Sequence, residues 1–85
     1  MATASPSQTP NPDAMKFTLD TTLPESFNAT SAEAAAGNSF VEEVFAADGV
    51  VAVFGVNDFV TVSRRPGADW APIVAAVESA AAKHL

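Results

Sequence analysis

The residues of this chain best suited to chemistry gather in and just after FAADGVVAVFGVNDFVTV, residues 45–62. Phe54 and Phe59 flank a four-residue stretch, Gly55-Val56-Asn57-Asp58. Thr61 and Ser63 follow at alternate positions, then Arg64 and Arg65. On extended backbone, alternate residues share a side. A hairpin here puts Phe54, Phe59, Thr61 and Ser63 on one face, with the arginines at its end. Lys16 and Thr18 join them if the first strand lies in the same sheet. The chemistry is non-covalent: aromatics beside arginines are the usual anchors of protein-binding surfaces. Each feature also has a purely structural reading. The phenylalanines can stabilise the hairpin as a cross-strand pair, and Arg64-Arg65-Pro66-Gly67 can be a solvated turn.

Covalent chemistry finds little support. His84, the one histidine, stands next to the C-terminal residue, where nothing positions it as a base in a Ser-His-Asp set. Glu42 and Glu43 are helix neighbours and point in different directions. Glu42 reads as a cap partner. Asp48 and Asp58 sit where turns favour aspartate. No paired carboxylates suit acid–base work. Gly37, Gly49, Gly55 and Gly67 are isolated, so no phosphate loop is formed. There is no cysteine, hence no disulfide, thiolate zinc site or cysteine-ligated iron–sulfur site. We expect no enzyme and no cofactor.

Composition narrows the partners. The chain has 85 residues and a net charge of −6, from ten acidic and four basic side chains. That is one small domain, without the basic footprint of a nucleic-acid binder and repelled by anionic membranes. No apolar run approaches the roughly 20 residues needed to cross a bilayer. The N-terminus shows neither a secretory nor a mitochondrial pattern. A cytoplasmic location is the expectation.

The elements that position the face follow from periodicity. Residues 1–8 lack any period and read as a flexible tail, and Thr9 to Pro12 as an ordered lead-in. Ala14 to Asp20 alternates, with Met15, Phe17 and Leu19 on one side and Lys16, Thr18 and Asp20 on the other, as in a half-buried strand. A weak edge strand is expected around Phe27 (26–30). Ser31 to Ala36 reads as a helical turn capped by Ser31. Ser39 and Glu42 fit a capping box before an apolar stripe of Phe40, Val41, Val44 and Phe45. Gly49 suits the left-handed stop after that helix.

A Val56-Asn57 turn pairs Phe54 with Phe59, Val53 with Val60 and Val51 with Val62. Asp69 caps the last helix, whose apolar face holds Trp70, Ile73, Val74, Val77 and Ala81. The order β-β-α-β-β-α predicts an α+β, two-layer sandwich: a four-stranded, mainly antiparallel sheet with both helices on one face. Its core is expected to hold Phe17, Leu19, Phe45, Val51, Val53, Val60, Val62, Trp70, Ile73 and Val77.

These motifs taken together resemble the N-terminal domain of Nfu/NifU-type scaffold proteins. The resemblance rests on Thr9 to Pro12, Lys16-Phe17, Val44-Phe45, Gly49-Val50, Val53-Phe54, Asp58 to Val62, and Trp70, and spans residues 9–85. The departures are modest: Met15 and Val44 stand where leucine is common, and Asn38-Ser39 replaces a small-proline pair. In longer members of the family, cluster chemistry belongs to a separate module with a Cys-x-x-Cys motif. The resemblance therefore implies a stand-alone copy of the accessory domain, non-catalytic, binding an iron–sulfur scaffold, carrier or apo-target protein. The alternative is a general peptide- or protein-binding module unrelated to clusters. In either case the expected contact residues are Lys16, Thr18, Phe54, Phe59, Thr61, Arg64 and Arg65.

Overall fold

Alternation in the strands and helical spacing in the helices give each element one apolar side, and the fold buries those sides against each other. The computed structural model describes residues 3–9, 11–23, 26–31, 33 and 37–85. The elements are β1 (Ala4–Gln8), β2 (Ala14–Leu19), β3 (Phe27–Ala29), α1 (Ser39–Phe45), β4 (Val50–Val56), β5 (Phe59–Arg64) and α2 (Trp70–His84). The sheet is antiparallel throughout, in the order β1-β2-β5-β4-β3. The edge position expected for the Phe27 strand is observed. The helical turn expected over 31–36 lies mostly outside the described residues.

The sheet has five strands, not four. Residues 4–8, expected to be tail, run antiparallel to β2 with Ala4 opposite Leu19 and Gln8 opposite Met15. Pro6 and the small polar residues beside it have little strand propensity. The tertiary setting overrides it: β2 pairs with β5 on one side only, and its other row of backbone groups needs partners.

Phe17, Val53, Val60 and Val62 on the sheet and Ile73 and Val77 on α2 have no exposed surface. Leu19 joins them, and Phe40, Val41 and Val44 of α1 complete the core. Phe45 and Trp70 are only partly buried and pack against this cluster. Val51, expected inside, is 43% exposed. A bulge between Val50 and Ala52 makes it the extra residue of its strand, and such a residue leaves the ladder.

The β4–β5 turn is Asn57-Asp58, one residue later than expected. Val56 faces Phe59, Gly55 faces Val60, Phe54 faces Thr61 and Val53 faces Val62. Asn57 takes φ 55°, a left-handed conformation that asparagine tolerates and β-branched valine resists. The partners shift by two residues. An even shift keeps every side chain on its own face, so the inside–outside assignment of Val53, Val60, Val62, Phe54 and Phe59 stands. The Asn57 and Asp58 carbonyls accept from Leu23 and Leu19 amides at 2.7 Å, pinning the turn to the end of β2.

The first helix is capped by Asn38, not Ser39: its side chain accepts from the Val41 amide at 3.2 Å. Asparagine caps as well as serine does. Asp69 caps α2 as expected, accepting from the Ala71 amide at 3.1 Å.

The two helices pack together, and a polar pair crosses between them. His84 Nε2 lies 3.1 Å from Glu43 Oε1, and Lys83 Nζ lies 3.6 Å from Oε2. Desolvation raises the Glu43 carboxyl, but hydrogen bonds with His84 and Ser79 and the charge of Lys83 outweigh it and hold the group below its ordinary value. A depressed carboxylate stabilises the fold above its unfolded pKa, and that contribution is lost as pH falls through the folded value. Unfolding midpoints should therefore fall below the ordinary carboxylate range of about pH 4, and more steeply for the wild type than for Glu43→Gln. Parallel acid limbs in denaturant titrations would remove Glu43 from the pH dependence.

Candidate protein-binding face

The residues that alternate away from the core form the other face of the sheet. One cross-strand row runs Ser7, Lys16, Thr61, Phe54, Asn28 from edge to edge. A second runs Ser5, Thr18, Phe59, Val56, and a third brings Ala14, Ser63 and Ala52 together. Five of the seven expected contact residues, Lys16, Thr18, Phe54, Phe59 and Thr61, are thus neighbours. Ser5, Ser7, Asn28 and Val56 share the face and were missed by sequence reasoning. The serines lay in the presumed tail and Val56 in the presumed turn. The turn preference of Asn57 is the signal that could have returned Val56 to the strand.

Phe54 and Phe59 are diagonal neighbours rather than opposite each other. Phe54 is 41% exposed. Phe59 is partly covered, and the Lys16 ammonium lies 4.6 Å from its ring centre. A cation over an aromatic face contributes about 0.5–1 kcal/mol at an exposed site. The pair holds Lys16 flat and leaves Phe54 as the freest aromatic surface. Lys16 is the one charged residue in the three rows. Asp20 and Asp58 lie at the turn end, where Asp20 Oδ1 accepts from the Thr3 amide at 2.9 Å.

The structure places Arg64 on the helix side of the sheet, away from this face. Arg64 alternates with Val60 and Val62 and so lies on the helix side, with its side chain 20% exposed. Its Nε donates to Asp13 Oδ1 at 3.2 Å and its Nη1 to the Ala68 carbonyl at 2.6 Å. Its guanidinium sits 5.0 Å from the Trp70 ring centre, and Trp70 Nε1 donates to the Pro12 carbonyl at 3.3 Å. A cleft of about 340 Å³ beside them is lined by Thr9, Asn11, Pro12, Met15 and Trp70 among others. Arg64 thus ties the start of β2 to the start of α2. Arg65 is 60% exposed in its side chain and reaches Asp48 only at 3.7 Å, an ion pair of little energetic consequence.

This assignment makes Arg64 a stability residue. Arg64→Ala leaves the Ala68 carbonyl and Asp13 without their donor and should cost about 2 kcal/mol. Lysine cannot reproduce the fork or the stacking, so Arg64→Lys should recover less than half. Urea titrations check this: a lowered midpoint at unchanged slope is expected, and an unchanged midpoint refutes it.

Among the described residues, no three His, Cys, Asp or Glu side chains come together as a metal site would need. No helix there is long and apolar enough to cross a membrane. The open face is thus a hydroxyl-rich platform that carries two phenylalanines, Phe54 and Phe59, and one cation, Lys16.

Known proteins resemble this chain. Residues 5–85 match the family model described as scaffold protein Nfu/NifU N terminal. A Staphylococcus aureus protein named conserved virulence factor C is 29% identical over 73 residues, which is 85% of this chain but 20% of that protein. The chain thus spans about a fifth of that relative's length. The crystal structure of protein SAV1430 from Staphylococcus aureus superposes with a TM-score of 0.78 at 29% identity, covering 94% of this chain and 98% of that one. A solution structure of a Staphylococcus epidermidis protein gives 0.65 at 26% identity, covering 98% of both chains.

Proposed function

The chain belongs to the Nfu/NifU N-terminal family, and from that premise we propose that it is an accessory, non-catalytic module of iron–sulfur cluster assembly or delivery. It acts by protein contact through the open sheet face and ligates no cluster through cysteine. Its partner is a cluster scaffold, carrier or apo-target protein.

One observation supports this reading above the others. Phe54, Thr61 and Lys16 form a contiguous row on the face opposite both helices, and Phe54 is the more exposed of its two phenylalanines. An exposed aromatic amid groups that can hydrogen-bond is the composition of an interface centre. The same row would equally serve a protein-binding module outside cluster biology, because nothing in its contact chemistry requires a cluster on the partner.

Affinity capture from an extract of the producing cells separates the two, with wild type beside Phe54→Glu and mass spectrometry as the readout. Enrichment of cluster scaffolds, carriers or apo-targets by wild type alone is the expected result. Enrichment of proteins without cluster chemistry gives the second reading. Equal capture by both forms removes the open face as the site.

A further inference from the structure

The chain sets four lysine and arginine side chains against ten acidic ones, so a carboxylate partner is easy for each cation to find. Three have one: Arg64 meets Asp13, Arg65 meets Asp48 and Lys83 meets Glu43. Lys16 is the exception. Among the described residues no carboxylate lies within ion-pair distance of its ammonium, which rests over the Phe59 ring instead. The side chain is exposed, so water solvates the charge.

Register fixes what surrounds that ammonium. Ser7 of β1 stands directly opposite Lys16 on one side, and Thr61 of β5 directly opposite it on the other. Opposed side chains on one face have Cβ atoms about 4.5–5.5 Å apart. Hydroxyl, ammonium and hydroxyl therefore stand in line, all three able to donate. Neither hydroxyl has a hydrogen-bond partner among the described residues. Phe54 is the next residue of the row beyond Thr61.

The contact proposed above covers this row. A covering surface strips water from the ammonium, and a charge that loses its water needs a counter-charge. The chain supplies none at this spot. Resting on the protein-contact reading of the open face, we infer that the partner does: it seats an aspartate or glutamate side chain on Lys16, between the Ser7 and Thr61 hydroxyls. The ammonium neutralises the carboxylate, and the two hydroxyls donate to its remaining lone pairs. An apolar side chain beside that carboxylate covers Phe54. The partner's surface is thus acidic at one point and apolar next to it. A nucleic-acid backbone would need a series of cations, and the three rows hold one.

A carbodiimide tests this directly, because it condenses an amine with a carboxylate that touches it into an amide. Lys16 and Lys83 are the only lysines of the chain. The full chain is incubated in an extract of the producing cells, treated with carbodiimide and recovered, and linked peptide pairs are read by mass spectrometry. Lys83 and Glu43, 3.6 Å apart, should link within the chain and show that the reagent acts. The expected result is links from Lys16 to an aspartate or glutamate of a partner. They should be at least about tenfold more abundant than links from Lys83 to other proteins, since contact raises the local carboxylate concentration at Lys16 alone. Phe54→Glu should lose these links. Lys16→Glu should lower capture of the same partner at least about tenfold, because like charges then face each other across the contact. Lys16 links no more abundant than those of Lys83, or undiminished capture by Lys16→Glu, overturn the inference. If capture still depends on Phe54 in that case, the open-face reading stands without it; if it does not, both fall. Abundant Lys16 links to proteins without cluster chemistry uphold the inference and overturn the cluster reading instead.

Discussion

Gly55→Ala should lower the unfolding free energy by about 2–3 kcal/mol, within the range for forcing extra atoms into a packed site. Gly55 is buried on the core face of β4, opposite Val60 on one side and Phe27 on the other. A methyl group there would stand 2.7 and 2.8 Å from the two Cε atoms of the Phe27 ring, and closer still to its Cζ. The ring occupies the place of the missing side chain, as aromatics do beside glycines in sheets. It is backed by Phe40 at a centroid distance of 6.0 Å, so a shift of the ring toward α1 would meet Phe40. For a domain whose whole stability is about 5–10 kcal/mol, such a loss removes a large share of it.

A second substitution shows whether the clash is the cause. Phe27→Leu alone should cost about 1 kcal/mol for lost packing. Placed together, Gly55→Ala and Phe27→Leu should be less damaging than the sum of the two, by about 1 kcal/mol or more. Denaturant titrations of the four forms give that coupling directly. Simple additivity would mean that the ring moves aside freely and that Gly55 serves some other purpose.

Gly55 also shows where sequence reasoning stops. Strand alternation identified the buried valines, the open-face phenylalanines and the Met15/Phe17/Leu19 stripe, because a period of two survives any even error in register. It could not choose between turns one residue apart. That choice depended on which residue accepts a left-handed conformation, and Asn57 does so more readily than Val56. The bulge that exposes Val51 left no mark in the valine run, which reads the same with or without an extra residue. The capping position moved from Ser39 to Asn38 because both side chains can accept the same amide.

The first strand was illegible for a different reason. Its residues carry no apolar period, and what orders them is the unpaired edge of β2, a fact of the tertiary fold. Arg64 was readable as a charge but not as a position. Arg64 has the parity of Val60 and Val62, and that alone places it on the helix side; grouping it with the open face followed from its charge and its neighbour Arg65. The signature residues Thr9, Asn11, Pro12 and Trp70, far apart in the chain, meet around Arg64. The family resemblance was legible before its physical reason was.

On the proposed reading, and with Arg64 on the helix side of the sheet, the affinity of the open face should rest on few residues. Phe54→Glu should weaken association with the partner about thirtyfold to a thousandfold, the effect of losing a central aromatic anchor of about 2–4 kcal/mol. Its exposure allows the substitution without loss of fold, and an unchanged unfolding midpoint is part of the expectation. Lys16→Ala should act differently. Lys16 is the one charge among the rows of that face, in a chain of net charge −6, and it lies beside Phe59. Its loss should slow association severalfold and flatten the salt dependence, as removal of a steering charge does. Arg65→Ala, outside the rows, should change neither. Surface plasmon resonance at two salt concentrations separates these outcomes. Full affinity in Phe54→Glu, or equal losses in Phe54→Glu and Arg65→Ala, would place the contact at the sheet end and not on its face. The chemistry of the site would then be the charge of the turn, and the aromatic diagonal would be a feature of hairpin stability alone.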